Sequence, residues 1–152
     1  KCSGRYCATQ QPGALLVNTG ISTIAPVDQA LVAFASPKPR AALVYRGGAF
    51  METANAPREQ CHGGHGDELE TSIMQAIAPD EVRTNLAVPY DHEIPPGPLS
   101  RTEDHPNFTP QGVGGNPTLA TRSKGHRLLR AMLTDIDRVL HSLVDEAQHG
   151  PA

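Results

Sequence analysis

The chain has no tryptophan, and its 152 residues include only three Tyr and three Phe. No apolar run is long enough to cross a bilayer, which excludes a membrane-spanning helix. The formal charge is only −3, with both signs interspersed. That balance lacks the basic footprint of a nucleic-acid binder and gives no reason to invoke an anionic membrane. Cysteine is scarce and odd in number: Cys2, Cys7 and Cys61. Cys2 and Cys7 are too far apart for a CxxC redox motif, although they could pair in an oxidising compartment. Reduced thiols in a cytoplasmic protein are the expectation. Glycine and proline are plentiful at fourteen each, so much of the chain is expected to be loop. A chain of this length suits one domain with a core of its own.

The densest chemistry lies in His62-Gly-Gly-His65-Gly-Asp67-Glu68-Leu69-Glu70-Thr71-Ser72. Two imidazoles and three carboxylates fall close together, with glycines in front and an apolar helix pattern behind. Hydrolysis by a metal-bound water uses that mix of nitrogen and oxygen ligands with a proton-carrying imidazole nearby. The bland alternative is a polar loop capping a helix.

Around this stretch the pattern alternates between strand and helix. Residues 1–13 read as an irregular lead-in. Ala14-Leu-Leu-Val17 is a short apolar run that suits a strand buried on both faces. Ser22 and Thr23 offer an N-cap, Pro26 fits a first turn, and Ile24, Val27, Ala30, Leu31 and Phe34 set a helix over about 23–36. Ala41-Ala-Leu-Val-Tyr45 is a second strand candidate, making a right-handed βαβ unit. Residues 49–66 read as loop. Leu69, Ile73, Met74 and Ile77 return to helical spacing, ended by Pro79. Glu68 and Glu70 therefore sit at a helix start, about 200° apart around its axis and suited to different tasks. Residues 84–117 form a long Pro- and Gly-bearing loop of the kind that is usually functional or disordered. Leu128, Leu129, Met132, Leu133, Ile136, Val139, Leu140, Leu143 and Val144 mark an amphipathic helix over about 119–147 whose stripe must bury against something. Residues 148–152 are a tail.

Three stretches resemble the creatininase (creatinine amidohydrolase) family. His65-Gly-Asp-Glu68-Leu-Glu70-Thr71-Ser72-Ile-Met74, continuing to Ala78-Pro79-Asp80-Glu-Val82-Arg83, is similar to the family's His-Ala-Gly-Glu-x-Glu-Thr-Ser block and the exit that follows it. Thr109-Pro-Gln-Gly112-Val-Gly-Gly115-Asn116-Pro117-Thr118-Leu-Ala120-Thr121 resembles its Gly-Val-x-Gly-Asp-Pro-x-x-Ala-Thr stretch, with Asn116 in place of the usual Asp. Lys124-Gly125 ahead of the last helix is the third. Asn18-Thr-Gly20 lies where relatives carry Asn-Gly-His-Gly-Gly-Asn, so Gly20 stands in the histidine's place. The family's early Glu-x-His and following Asp have no counterpart, nor do the tryptophans that cover creatinine.

The resemblance spans roughly residues 14–147. It implies an α/β fold: a Rossmann-like three-layer arrangement with a mostly parallel sheet, here an incomplete domain over 14–147 whose N-terminal strands are missing. It implies metal-dependent hydrolysis of a non-peptide C–N bond, with a cyclic amide as the expected small-molecule substrate. It also implies Zn²⁺ or Mn²⁺ as the divalent metal, and homo-oligomers. By that resemblance Glu68 is a metal ligand, and His65 passes a proton to the leaving nitrogen. Glu70 either orients His65 or plays a structural part at the helix start. The alternative is a catalytically inactive homologue acting as a folded subunit or binding module. No nucleic acid or membrane partner is expected.

Other candidates carry less. Cys61-His62-x-x-His65 could supply three zinc ligands, but no second ligand pair follows. His92, His105, His126, His141 and His149 lack supporting company and are expected in solvent. Ser72 lacks the Gly-x-Ser-x-Gly turn of a serine nucleophile. Gly112-Val-Gly-Gly115 lacks the lysine and context of a phosphate loop and instead shapes a turn.

Overall fold

The computed structural model describes residues 15–20, 23–33, 48–56, 58–95 and 97–149. Four α-helices organise them: α1 Ile24–Ala33, α2 Gly48–Asn55, α3 Glu68–Ile77 and α4 Arg122–His149. Single 3-10 turns at Pro79–Glu81, Thr84–Leu86 and Pro117–Leu119 punctuate the rest. None of these helices is long and apolar enough to cross a membrane.

Three helices fall where periodicity places them. α3 ends at Ile77 because Pro79 has no N–H to continue the ladder, and Ala78 closes it by bonding back to Met74 O at 2.8 Å. α4 starts three residues later than its pattern suggests. Thr121 Oγ1 accepts from Lys124 N at 3.2 Å and so caps it. α1 occupies the expected stretch through Ala33, and residues 34–36 lie outside those described.

Residues 49–66 are not all loop, since Gly48–Asn55 is helical. The helix start is supplied from far along the chain. Asp135, buried on α4, accepts from Ala49 N at 3.2 Å and Phe50 N at 2.9 Å. A carboxylate here satisfies donors that a helix N-terminus leaves unpaired and favours its positive end.

The parallel sheet and the three layers expected around it are not found among the described residues. They hold only isolated bridges, His65 with Gly114, Tyr90 with Gly115 and Ser100 with Phe108. Residues 15–17 contain a single bridge position, and Leu16 and Val17 are 45% and 43% exposed. A strand buried on both faces needs flanking strands and covering helices, and among the described residues none covers these side chains. The second expected strand, 41–45, lies outside the described residues.

The core is a helix sandwich. Phe50 and Ala54 of α2 meet Leu128 and Ala131 of α4, with Leu69, Ile73 and Met132 packed against them. The α4 stripe is only partly covered: Leu128 is fully buried, whereas Leu133, Leu140 and Val144 are exposed. α3 and α4 approach closely at Gly125. A Cβ there would lie 1.9 Å from Ser72 O and 2.9 Å from the Ala76 Cβ. Ser72 Oγ donates to Glu68 O at 2.6 Å and accepts from Thr121 N at 3.0 Å, so the crossing is hydrogen-bonded as well as packed.

Gly125→Ala should force the two helices apart and destabilise the fold by about 2 kcal/mol, as overpacking does. A urea melt checks this, and an unchanged midpoint would show that α3 and α4 part freely at that point.

Candidate functional site

The segment 58–70 is folded by its own polar side chains. Asp67 caps α3, its Oδ1 accepting from Leu69 N and Glu70 N at 2.9 Å each. Its Oδ2 accepts from Gln60 Nε2 at 2.7 Å. Gln60 Oε1 in turn accepts from Glu68 N at 3.1 Å and Asn116 N at 2.9 Å. One buried amide thus ties the start of α3 to the 112–117 turn. Gly115 sits against that knot with φ +140°, and a Cβ there would lie 2.5 Å from the Asp67 Cβ. Only glycine meets both demands.

Glu68 points inward and is fully buried. Its Oε2 accepts from Glu59 N and Gln60 N, each at 2.9 Å, and its Oε1 accepts from Lys124 Nζ at 2.6 Å. Lys124 also donates to Glu59 Oε1 at 2.6 Å and Leu119 O at 2.8 Å. Burial alone would push the Glu68 carboxyl up. The Lys124 ammonium and the two amides outweigh it and hold Glu68 below its usual value. Burial likewise works against charging Lys124, but Glu59 and Glu68 hold its ammonium above the usual value.

Glu70 faces the other way, as the helical pitch requires. Its Oε2 accepts from Gly66 N at 2.7 Å rather than from the His65 ring. Burial raises its carboxyl above the usual value, opposed by the Gly66 N–H and reinforced by the Asp67 charge. Glu70 lines a cleft of about 410 Å³ with Gly66, Thr71, Met74, Arg83, Leu86, Val113 and Pro117 among its walls. His65 immediately precedes Gly66. Its backbone pairs with Gly114, and its Nε2 lies 3.3 Å from Gly97 O. A second cavity of about 430 Å³, by Ser100, Arg101 and Thr109, contains none of the sequence candidates.

Among the described residues no three His, Cys, Asp or Glu side chains converge to hold a metal ion. The immediate surroundings of Glu68 do not suit one. Both of its oxygens take N–H donors, and an ammonium sits where a cation would. Cys61 is an exposed free thiol, and the neighbouring His62 Nδ1 lies 3.3 Å from Asp91 Oδ1; among the described residues Cys61, His62 and His65 do not gather as a zinc knot. Asp91 also accepts from Cys61 N at 3.0 Å and His62 N at 2.6 Å, and these amides lower its carboxyl. His92, His105, His126 and His141 are exposed, as expected.

The sequence marked Lys124 only as part of a family-like stretch, not as the partner of Glu68, and gave no role to Gln60, Glu59 or Asp91. Lys124 left a signal. It lies in the first turn of α4, where the helix dipole disfavours a cation, so its presence asks for a specific anion. Gln60 left none, because its partners are backbone groups set by the fold.

A family model described as Creatininase: Creatinine amidohydrolase matches residues 15–140. No curated protein and no solved structure matches the chain.

Because Glu68 is held below its ordinary 4.5, the stability it confers is complete above that pH and is lost as the pH falls below it. The melting temperature of the wild type should therefore fall more steeply below pH 4.5 than that of the Glu68→Gln/Lys124→Met double variant. Parallel slopes would show that Glu68 protonates as readily folded as unfolded.

Proposed function

The chain belongs to the creatininase family, and from that premise we propose that it is an amidohydrolase opening a non-peptide C–N bond in a cyclic amide. Family membership carries an α/β class and an amidohydrolase activity that generally depends on a divalent metal. The surroundings of Glu68 do not fit that metal, so no step is routed through one.

The observation that supports the reading is Glu70 on the wall of the cleft. It comes from the family-like block, it is partly buried, and its carboxyl is raised. Raised carboxyls in concave sites mark candidate acid–base groups. The cleft walls are otherwise largely apolar, with Met74, Val82, Leu86, Ala87, Val113 and Pro117. They offer an apolar face for a small flat ring. Hydrolysis needs one proton removed from the attacking water and one delivered to the departing nitrogen. Glu70 is placed to take the first. His65, next to the Gly66 backbone that lines the cleft, is assigned the second, since an imidazole exchanges protons near neutral pH.

The contrast between the two glutamates supports this assignment. Glu68 and Glu70 share one helix turn, yet the first is locked inward by cationic and amide donors and the second faces the cavity. The first organises the loop, and the second meets the substrate.

Glu70→Gln should lower kcat/KM for the best substrate by about a hundredfold, the usual contribution of a positioned acid–base group. Turnover should be followed with creatinine and with a panel of cyclic amides and cyclic ureas. In the wild type the acid limb of the pH profile should lie above 4.5, the ordinary value for this side chain, and it should vanish in the variant. A folded wild type that turns over none of the panel would overturn the reading and leave a non-catalytic role for the cleft.

A further inference from the structure

The least expected object in the molecule is the cage around Lys124 Nζ. An ammonium has three N–H donors. Here all three are engaged, by Glu59 Oε1 at 2.6 Å, Glu68 Oε1 at 2.6 Å and Leu119 O at 2.8 Å. The three oxygens come from three parts of the chain: the loop before α3, the first turn of α3 and the 3-10 turn before α4. Two carboxylates and a carbonyl are the donor types that hard cations bind. The Lys124 side chain is only 8% exposed and Glu68 is not exposed at all, whereas Glu59 is 63% exposed, so the cage is closed on the Glu68 side and meets solvent at Glu59.

A divalent ion at Glu68 would need the oxygen that Lys124 holds, or the one that Glu59 N and Gln60 N hold. In the first position it would meet an ammonium carrying like charge at contact distance. In the second it would displace the two backbone donors of Glu59 and Gln60. We propose that the Lys124 ammonium is the resident cation of this cage, doing for Glu68 what a bound metal ion would do, and that Glu68 is not a metal ligand in this chain.

Lys124 then works as a positioning residue. By neutralising Glu68 it lets the carboxylate accept from Glu59 N and Gln60 N, which brings Gln60 to Asp67 and Asn116. Those contacts fix the first turn of α3, and with it the direction of Glu70. The proposal does not rest on the hydrolase reading, because its test measures metal affinity and the state of the lysine rather than turnover.

The test uses the full chain. Zinc affinity is measured against a chromophoric chelator for the wild type, Glu68→Gln and Glu68→Gln/Lys124→Met. The same affinity in all three, or no binding in any, supports the proposal. A loss of about tenfold or more in a folded variant, the scale expected when a ligand or its support is removed, overturns it. The double variant is included because it replaces the pair by neutral side chains of similar size and avoids leaving one charge stranded. A second readout needs no variant. The Lys124 ¹⁵Nζ resonance of the wild type should be slow to exchange with water and unmoved by saturating zinc. Its displacement by zinc would overturn the proposal even if every variant failed to fold.

Discussion

The buried pairing of Glu68 with Lys124 governs how the rest of this chain is arranged. A carboxylate fully removed from water is tolerable only if its charge is met and its lone pairs are filled. Lys124 meets the charge, and the amides of Glu59 and Gln60 fill the far oxygen. Three segments distant in sequence are thereby drawn to one point. Ions buried like this are weak contributors to net stability when the whole pair is considered, because desolvation offsets attraction. Removing one partner alone is different and costs roughly 3–5 kcal/mol, since it strands the other charge. The pair acts as a specifier of geometry, and the loop before α3 takes its shape from it.

The two acids at the start of α3 differ sharply in their surroundings. Glu68 and Glu70 are two residues apart in a helix, so they cannot face the same way. One is held ionised by donors on every side. The other is pushed toward its neutral form by burial and keeps a single amide donor. The same carboxyl chemistry thus yields a charge-paired anchor inside and a carboxyl with a raised pKa on the cleft wall, the difference lying in the surroundings. Family membership says what reaction to look for. The electrostatics separate the two acids, one lowered and one raised.

Much of this was legible in the sequence, and the gaps have physical causes. α3 and α4 announce themselves through apolar spacing and their stop and start residues, because those signals are local. α2 does not, because Gly48 to Asn55 buries only Phe50 and Ala54 and receives its N-terminal acceptor from Asp135, 86 residues beyond Ala49. The dense acid-and-histidine block was visible, as was the divergence of its two glutamates. The identity of the cation facing Glu68 was not, since the lysine lies 56 residues further on. The family pattern suggested a metal ligand, whereas the fold supplies an ammonium. The expected parallel sheet rested on two apolar runs. In the first, Leu16 and Val17 are exposed, and the second falls outside the described residues.

Along α4, Lys124, Leu128, Ala131 and Asp135 succeed one another at steps of four, three and four. That spacing keeps all four on one side of the helix across about three turns. At one end of this span the rod grips Glu68, and at the other it completes the start of α2. The stretch between them is therefore a ruler, fixing both the separation and the relative azimuth of two helix origins. Losing a single residue inside it would rotate one grip by about 100° against the other. Between positions 124 and 135 no change of length leaves both grips in register.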